Sequence, residues 1–151
     1  MDITFYTWWY FTLLFLQVAG WIISFYFYQV HKKRLPDNVF WMPKILRMTD
    51  CRCDEIVDTI FGKTLGKSNA FWGLLYYFCF FIAIIAQRYT GEPGIAYLFI
   101  VSLLSFSFSI YLTWGLYILR VVCRPCLGIH TINAIVFTIL LVYAWPLLLL
   151  S

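Results

Sequence analysis

The 151-residue chain is 63% hydrophobic and 22% aromatic, with only 12% charged residues and a formal net charge of +4. Soluble domains carry charge on about 25% of their residues, so this composition excludes an ordinary water-soluble fold and indicates a membrane protein. The Lys and Arg residues sit in connections and do not alternate with aromatics on a polar surface, which argues against a nucleic-acid partner. With no internal repeat, low-complexity tract or Gly/Ser-rich linker, residues 1–151 read as a single domain.

Crossing a hydrocarbon core in a helix takes about 20 apolar residues. Four segments are long enough: Phe5 to Tyr28, Ala70 to Gln87, Ile95 to Leu119, and Val122 or Leu127 to Leu150. Runs of this length read as helices and not as the shorter alternating strands of a barrel. The expected fold is therefore an all-α, four-transmembrane-helix bundle. The first segment lacks a basic leader and a small-residue cleavage pattern and is too long for a signal h-region, so it reads as a retained span.

A loop of about forty residues follows, from Val30 to Ser68, whereas the other connections, "RYTGEPG" and "RVVCRPC", are short. Within it, Ile56, Val57, Ile60 and Phe61 recur at helical spacing while Asp54, Glu55 and Asp58 lie elsewhere. This pattern predicts a short amphipathic helix ending near Gly62 that lies over one end of the bundle, apolar side down. In the second span, Cys79 stands among phenylalanines and reads as a small hydrophobe. Gln17, Gly20 and Ser24 in the first span, and Ser102, Ser105 and Ser109 in the third, read as close-packing positions between helices.

Four spans bring the first and third connections to the same side of the membrane. Cys51 and Cys53 of the long loop are thereby delivered to the surface where Cys123 and Cys126 head the last span. A CxxC at the start of a helix makes a reactive thiol, because the helix amino end and nearby positive charge, here Arg120 and Arg124, favour thiolate. Pro125 suits the first turn, where no N–H is needed. A permanent disulfide clamp is the alternative use of such a pair. A zinc site is disfavoured by the one-residue gap in "CRC", and iron–sulfur spacings do not fit, so no metal is expected.

At about 100° per residue, Cys123, Cys126, His130 and Asn133 fall within about 80° of one another. Polar groups inside a membrane face the bundle interior, either lining a functional pocket or bonding helix to helix, and spacing leaves both open for His130 and Asn133. No paired carboxylates lie in a span, and no Ser-His-Asp set, phosphate-cradling loop or dinucleotide fingerprint is present. Thiol–disulfide exchange beside a lipid-accessible pocket remains, with a membrane quinone as the natural electron acceptor.

The segments "CDEIVDTIFGKTLGKSNAFWG" and "YLTWGLYILRVVCRPCLGIHTIN" resemble the vitamin K epoxide reductase family, including its bacterial members. The resemblance covers essentially the whole chain. Its most specific elements are the CxxC with Asn133 seven residues beyond it and the Ser68, Asn69, Gly73 run. It implies that Cys123 and Cys126 are the quinone-facing pair, Cys126 being the thiolate that acts on the quinone, and that Cys53 relays electrons by exchange with Cys123. Asn69 matches a position that hydrogen-bonds a quinone oxygen, and Ser68 beside it belongs to the same motif. His130 stands where animal members usually have tyrosine, and Asn133 lies deeper on the same stripe. The family's more distant outer loop cysteine is missing, leaving Cys51 as the candidate for that role.

The resemblance implies an enzyme passing electrons from a thioredoxin-like partner dithiol through loop cysteines and the CxxC to ubiquinone, menaquinone or vitamin K, in support of disulfide-bond formation. A vitamin K epoxide reductase of the animal type and a non-enzymatic, disulfide-clamped membrane scaffold are the alternatives. The bacterial inner membrane or the endoplasmic reticulum membrane would house it. Ten of the 11 Lys and Arg residues lie on the cysteine side, which by the positive-inside rule would be cytoplasmic. Disulfide chemistry belongs in an oxidising compartment, and long loops weigh less in the charge rule, so exoplasmic cysteines are expected.

Overall fold

The computed structural model describes residues 3–49, 53–90 and 92–149. In chain order it contains helix α1 (Ile3–His31), a 3₁₀ turn (Lys44–Leu46), a short helix α2 (Cys53–Val57), a hairpin of β1 (Lys63–Thr64) and β2 (Lys67–Ser68), and helices α3 (Asn69–Thr90), α4 (Glu92–Leu119) and α5 (Arg124–Leu149). Helices α1, α3, α4 and α5 are each long and apolar enough to cross a membrane, the four such helices among the described residues. Helices α1, α3 and α4 run slightly past the apolar windows read from sequence, since a helix satisfies its own backbone bonds whether its side chains meet lipid or headgroups. Much of their surface is large and apolar: Phe15, Phe78, Leu104 and Val142 are all exposed. In hydrocarbon such side chains are solvated, and helix association must come from close packing and internal polar contacts.

Small residues provide that packing between α1 and α3. A Cβ on Gly20 would lie 2.4 Å from atoms of the Tyr77 ring, and one on Gly73 would lie 2.7 Å from Ser24 Oγ. Two buried clusters result. One, around Leu13, Tyr77, Ile84 and Leu140, fills the middle of the bundle. The other, around Tyr26, Met42, Cys53, Val57 and Cys123, joins the long loop to the helix ends.

The cysteine-side ends of α1 and α4 close in the same way. Arg34 N–H donates to Gln29 O and Lys33 N–H to Val30 O; correspondingly Val121 N–H donates to Leu116 O and Arg120 N–H to Tyr117 O. Lys33 and Arg120 occupy the left-handed region, with φ of 56° and 51°. These are Schellman terminations, usually built on glycine. Placing a cation there costs backbone energy but sets positive charge against exposed carbonyls at the helix carboxyl end.

The lid differs from the sequence expectation. Helix α2 stops at Val57 instead of running to Gly62, so Ile56 and Val57 are buried while Ile60, expected to point inward, is 80% exposed. Thr59 ends the helix by donating both its N–H and its hydroxyl to Ile56 O, and the chain then doubles back. Gly62 is required for this return, because a Cβ there would strike the Ile56 carbonyl and Val57 Cα. The hairpin that follows turns through Leu65 and Gly66, with φ of 51° and 77°, the two successive positive values of a two-residue primed turn. Asp58 pairs with Lys63 at 2.8 Å across this return, and the ammonium holds the Asp58 carboxyl below its usual range.

Replacing Gly20 with leucine is expected to force α1 away from Tyr77, at a cost of about 1–3 kcal/mol for overpacking. Gly66→Asn, at a position with open space around it and a φ that asparagine tolerates, is expected to change little. Thermal unfolding of both variants in detergent micelles measures the contrast.

Candidate active site

The start of α5 sets the geometry. Cys123, just before the helix, accepts a 3.0 Å bond from Leu127 N–H on its carbonyl. Three residues on, Cys126 sits in the first turn, and the two sulfurs form a disulfide with their Cα atoms 5.2 Å apart. Cys123 is fully buried and Cys126 only partly so. Cys53, the first residue of α2, is fully buried in the same cluster as Cys123 and is itself disulfide-bonded. Cys51 lies outside the described residues. The loop and the CxxC thus meet at one end of the bundle, as an even number of crossings demands. Cys79, mid-span in α3, is a free thiol exposed on the outer surface.

Beneath the cysteines lies a cavity of about 320 Å³, within the range of small-molecule sites. Ile56 and Val57 of α2 and Phe61 form its roof, and Cys126 forms part of its wall. Asn69, His130 and Asn133 also border it. Most of the remaining lining is apolar, including Phe27, Leu112 and Leu116. A flat, largely apolar ring with polar atoms at its edge matches that lining.

The three polar residues are differently engaged. Asn133, deep on α5, accepts from Tyr77 Oη at 2.8 Å on its Oδ1 and donates from Nδ2 to Ser109 Oγ at 2.8 Å. Its amide therefore ties α3, α4 and α5 together. Asn69 opens α3: its backbone N–H donates to Gly62 O at 2.9 Å, its Nδ2 to Phe61 O at 2.6 Å, and its Oδ1 accepts from Thr64 Oγ1 at 2.7 Å. It clamps the hairpin to the bundle and keeps one amide hydrogen uncommitted in these contacts. His130, one turn below Cys126, is the exception. Its Nδ1 is buried without a hydrogen-bond partner among the described residues.

Ser68 is not on the cavity wall. It lies in β2, paired with Lys63 across the hairpin, so the strand and not the chamber sets its position. Conversely, sequence reasoning passed over two residues that hold the site together. In sequence Tyr77 is one more aromatic in an aromatic span, and Ser109 is one of three small residues at helical spacing. Trp72 also went unnoticed; its Nε1 donates to Thr64 O at 2.7 Å and fixes the hairpin from the α3 side. None of these has a local signal, because each acts through a partner more than 20 positions away or through a turn whose existence was not foreseen.

Among curated proteins and among solved structures, nothing matches the chain significantly. A family model does match, over residues 11–141, which includes all four spans in whole or in large part and every cysteine. On that match, the chain belongs to the vitamin K epoxide reductase family, whose members are membrane thiol–disulfide oxidoreductases acting on quinones or quinone epoxides.

Proposed function

We propose that this single-domain protein oxidises a thioredoxin-like partner dithiol and reduces a membrane quinone, with Cys51, Cys53, Cys123 and Cys126 carrying the electrons. The observation that carries this reading is the position of Cys126, whose side chain borders the cavity while its bonded neighbour Cys123 is buried in one cluster with Cys53.

In the first step, a partner thiolate attacks a Cys51–Cys53 disulfide, leaving the partner oxidised and the loop as a dithiol. The Cys53 thiolate then attacks Cys123, forming a Cys53–Cys123 mixed disulfide and releasing Cys126. Attack of Cys51 on Cys53 restores the loop disulfide and leaves Cys123 and Cys126 reduced. That pair then returns to its disulfide by giving two electrons to the quinone, which takes up two protons and becomes a quinol. Each exchange requires a thiolate next to the disulfide it attacks, so α2 must shift over the chamber during turnover.

The chamber supplies orientation. His130, which borders the chamber, is assigned to hydrogen-bond a ring oxygen, and the uncommitted amide hydrogen of Asn69 serves from the hairpin side. Asn133 serves indirectly, through the α3–α4–α5 tie. Apolar walls exclude water around the reacting sulfur. Electron delivery from a secreted-compartment partner fits cysteines on the exoplasmic face of a bacterial inner membrane or of the endoplasmic reticulum.

Three variants test the scheme. Cys126→Ala is expected to bring quinone reduction by purified protein to background with either a chemical dithiol or a thioredoxin-like protein as reductant; undiminished reduction would defeat the proposal. Cys53→Ala is expected to abolish turnover with the protein reductant while leaving reduction driven by a small dithiol largely intact. His130→Ala is expected to lower kcat/KM about tenfold, the equivalent of one hydrogen bond of about 1.4 kcal/mol. His130→Tyr, which restores a donor, is expected to recover most of that loss in the same steady-state assay.

A further inference from the structure

The segment from Asp37 to Met48 leaves α1 and returns to it. Both of its ends are pinned to one side chain. Tyr26 Oη donates to Asp37 O and accepts from Met48 N–H, the latter at 2.9 Å. Between these points Val39 and Met42 are buried in the core. The backbone turns on itself through Met42 N–H to Val39 O, Leu46 N–H to Pro43 O and Arg47 N–H to Lys44 O, with Arg47 Nε donating to Met42 O at 2.8 Å. This is a compact Ω-type loop, its ends held by Tyr26 and its turns closed by these internal bonds.

Its depth is unusual for a loop. Tyr26 lies five residues before the end of α1, so about 8 Å along the helix from His31. The Trp41 ring meets Tyr26 edge-on at 5.9 Å. Leu46 reaches further. Its Cδ2 would lie 2.9 Å from a Cβ on Gly128, a place also approached by Ile23 Cδ1. Ile23 is eight residues, about 12 Å, before His31, and Gly128 is in the second turn of α5. All three partners belong to membrane-spanning segments. The loop therefore sits alongside the bundle and below the helix ends.

On its outer side the loop presents Phe40, Trp41 and Ile45, which are 91%, 41% and 74% exposed. Exposed cations accompany it in the chain, Lys44 within the loop and Lys32, Lys33 and Arg34 on the turn that leads into it. Aromatic and aliphatic tips at the level of helix ends, accompanied by Lys and Arg, have the arrangement of a headgroup-level anchor.

We propose that the 37–48 loop is a membrane-docking element, inserting Phe40, Trp41 and Ile45 into the leaflet on the cysteine side while its cations meet the phosphates. The occupant is the lipid surface because the loop's inward residues pack on span residues that already define membrane depth. A soluble partner would have to enter the headgroup layer to reach the same patch. Docking fixes the height of the 37–48 loop against the bundle, whatever the route of electrons.

The test replaces single residues of the full chain by p-benzoylphenylalanine, in phospholipid nanodiscs, followed by irradiation and intact-mass measurement. Phe78, exposed on α3 within the span, serves as the lipid-facing reference, and Asp58, whose side chain is 76% exposed, as the aqueous one. Substitution at 40 and at 45 is expected to give a mass increase of one phospholipid with a yield comparable to that at 78, and none at 58. A phospholipid adduct at 78 with none at either 40 or 45 overturns the proposal, as does crosslinking of 40 and 45 to a second protein molecule in place of lipid. Because both loop positions are highly exposed, the bulky probe leaves the core unperturbed.

Discussion

In hydrocarbon a polar group has no water to fall back on, and the Tyr77–Asn133–Ser109 chain is where this constraint is met at the centre of the bundle. Each interhelical bond of this kind contributes only about 0.6 kcal/mol on average. Their organising effect is larger, since an amide left unpaired there is far more costly than the bond is favourable. Asn133 consequently fixes which faces of α3, α4 and α5 oppose one another, and the cavity above it inherits its walls from that choice.

The roof depends on a second set of contacts with a different character. Asn69 and Trp72, both in the first turn of α3, hold Phe61 and Thr64 and so bind the hairpin to the span. Helix α2, only five residues long, is too short to be stable alone and is held by burying Cys53, Ile56 and Val57 against the ends of α1, α4 and α5. An element tied firmly on one side and resting on apolar contacts on the other can move without unfolding.

Buried polar groups in such a protein fall into two kinds. Asn133 is bonded through both its oxygen and its nitrogen to neighbouring helices and acts as structure. His130 has an imidazole nitrogen with no partner among the described residues, on the same helix face and bordering the same chamber as Cys126. An uncompensated donor or acceptor in this setting is costly unless a ligand completes it.

Much of this architecture was legible in the chain itself. Length and hydropathy are local, additive properties, so four spans could be counted. An even number of crossings then brought Cys53 to the end where Cys123 and Cys126 lie, and helical periodicity placed Cys126, His130 and Asn133 on one face. Other features became visible only in the folded molecule. The lid helix stops at Val57 because Thr59 and Gly62 permit a backbone return, and the hairpin turns at Leu65–Gly66, a pair without the Asn-Gly signal of such turns. Ser68, adjacent to Asn69 in sequence, is directed by strand pairing and not by the chamber. Whether Asn133 or His130 would be left open depended on Tyr77 and Ser109, which lie 56 and 24 residues away from Asn133. Hydrogen-bond partners are chosen by three-dimensional proximity, and no periodicity in one segment encodes what a distant segment will bring beside it.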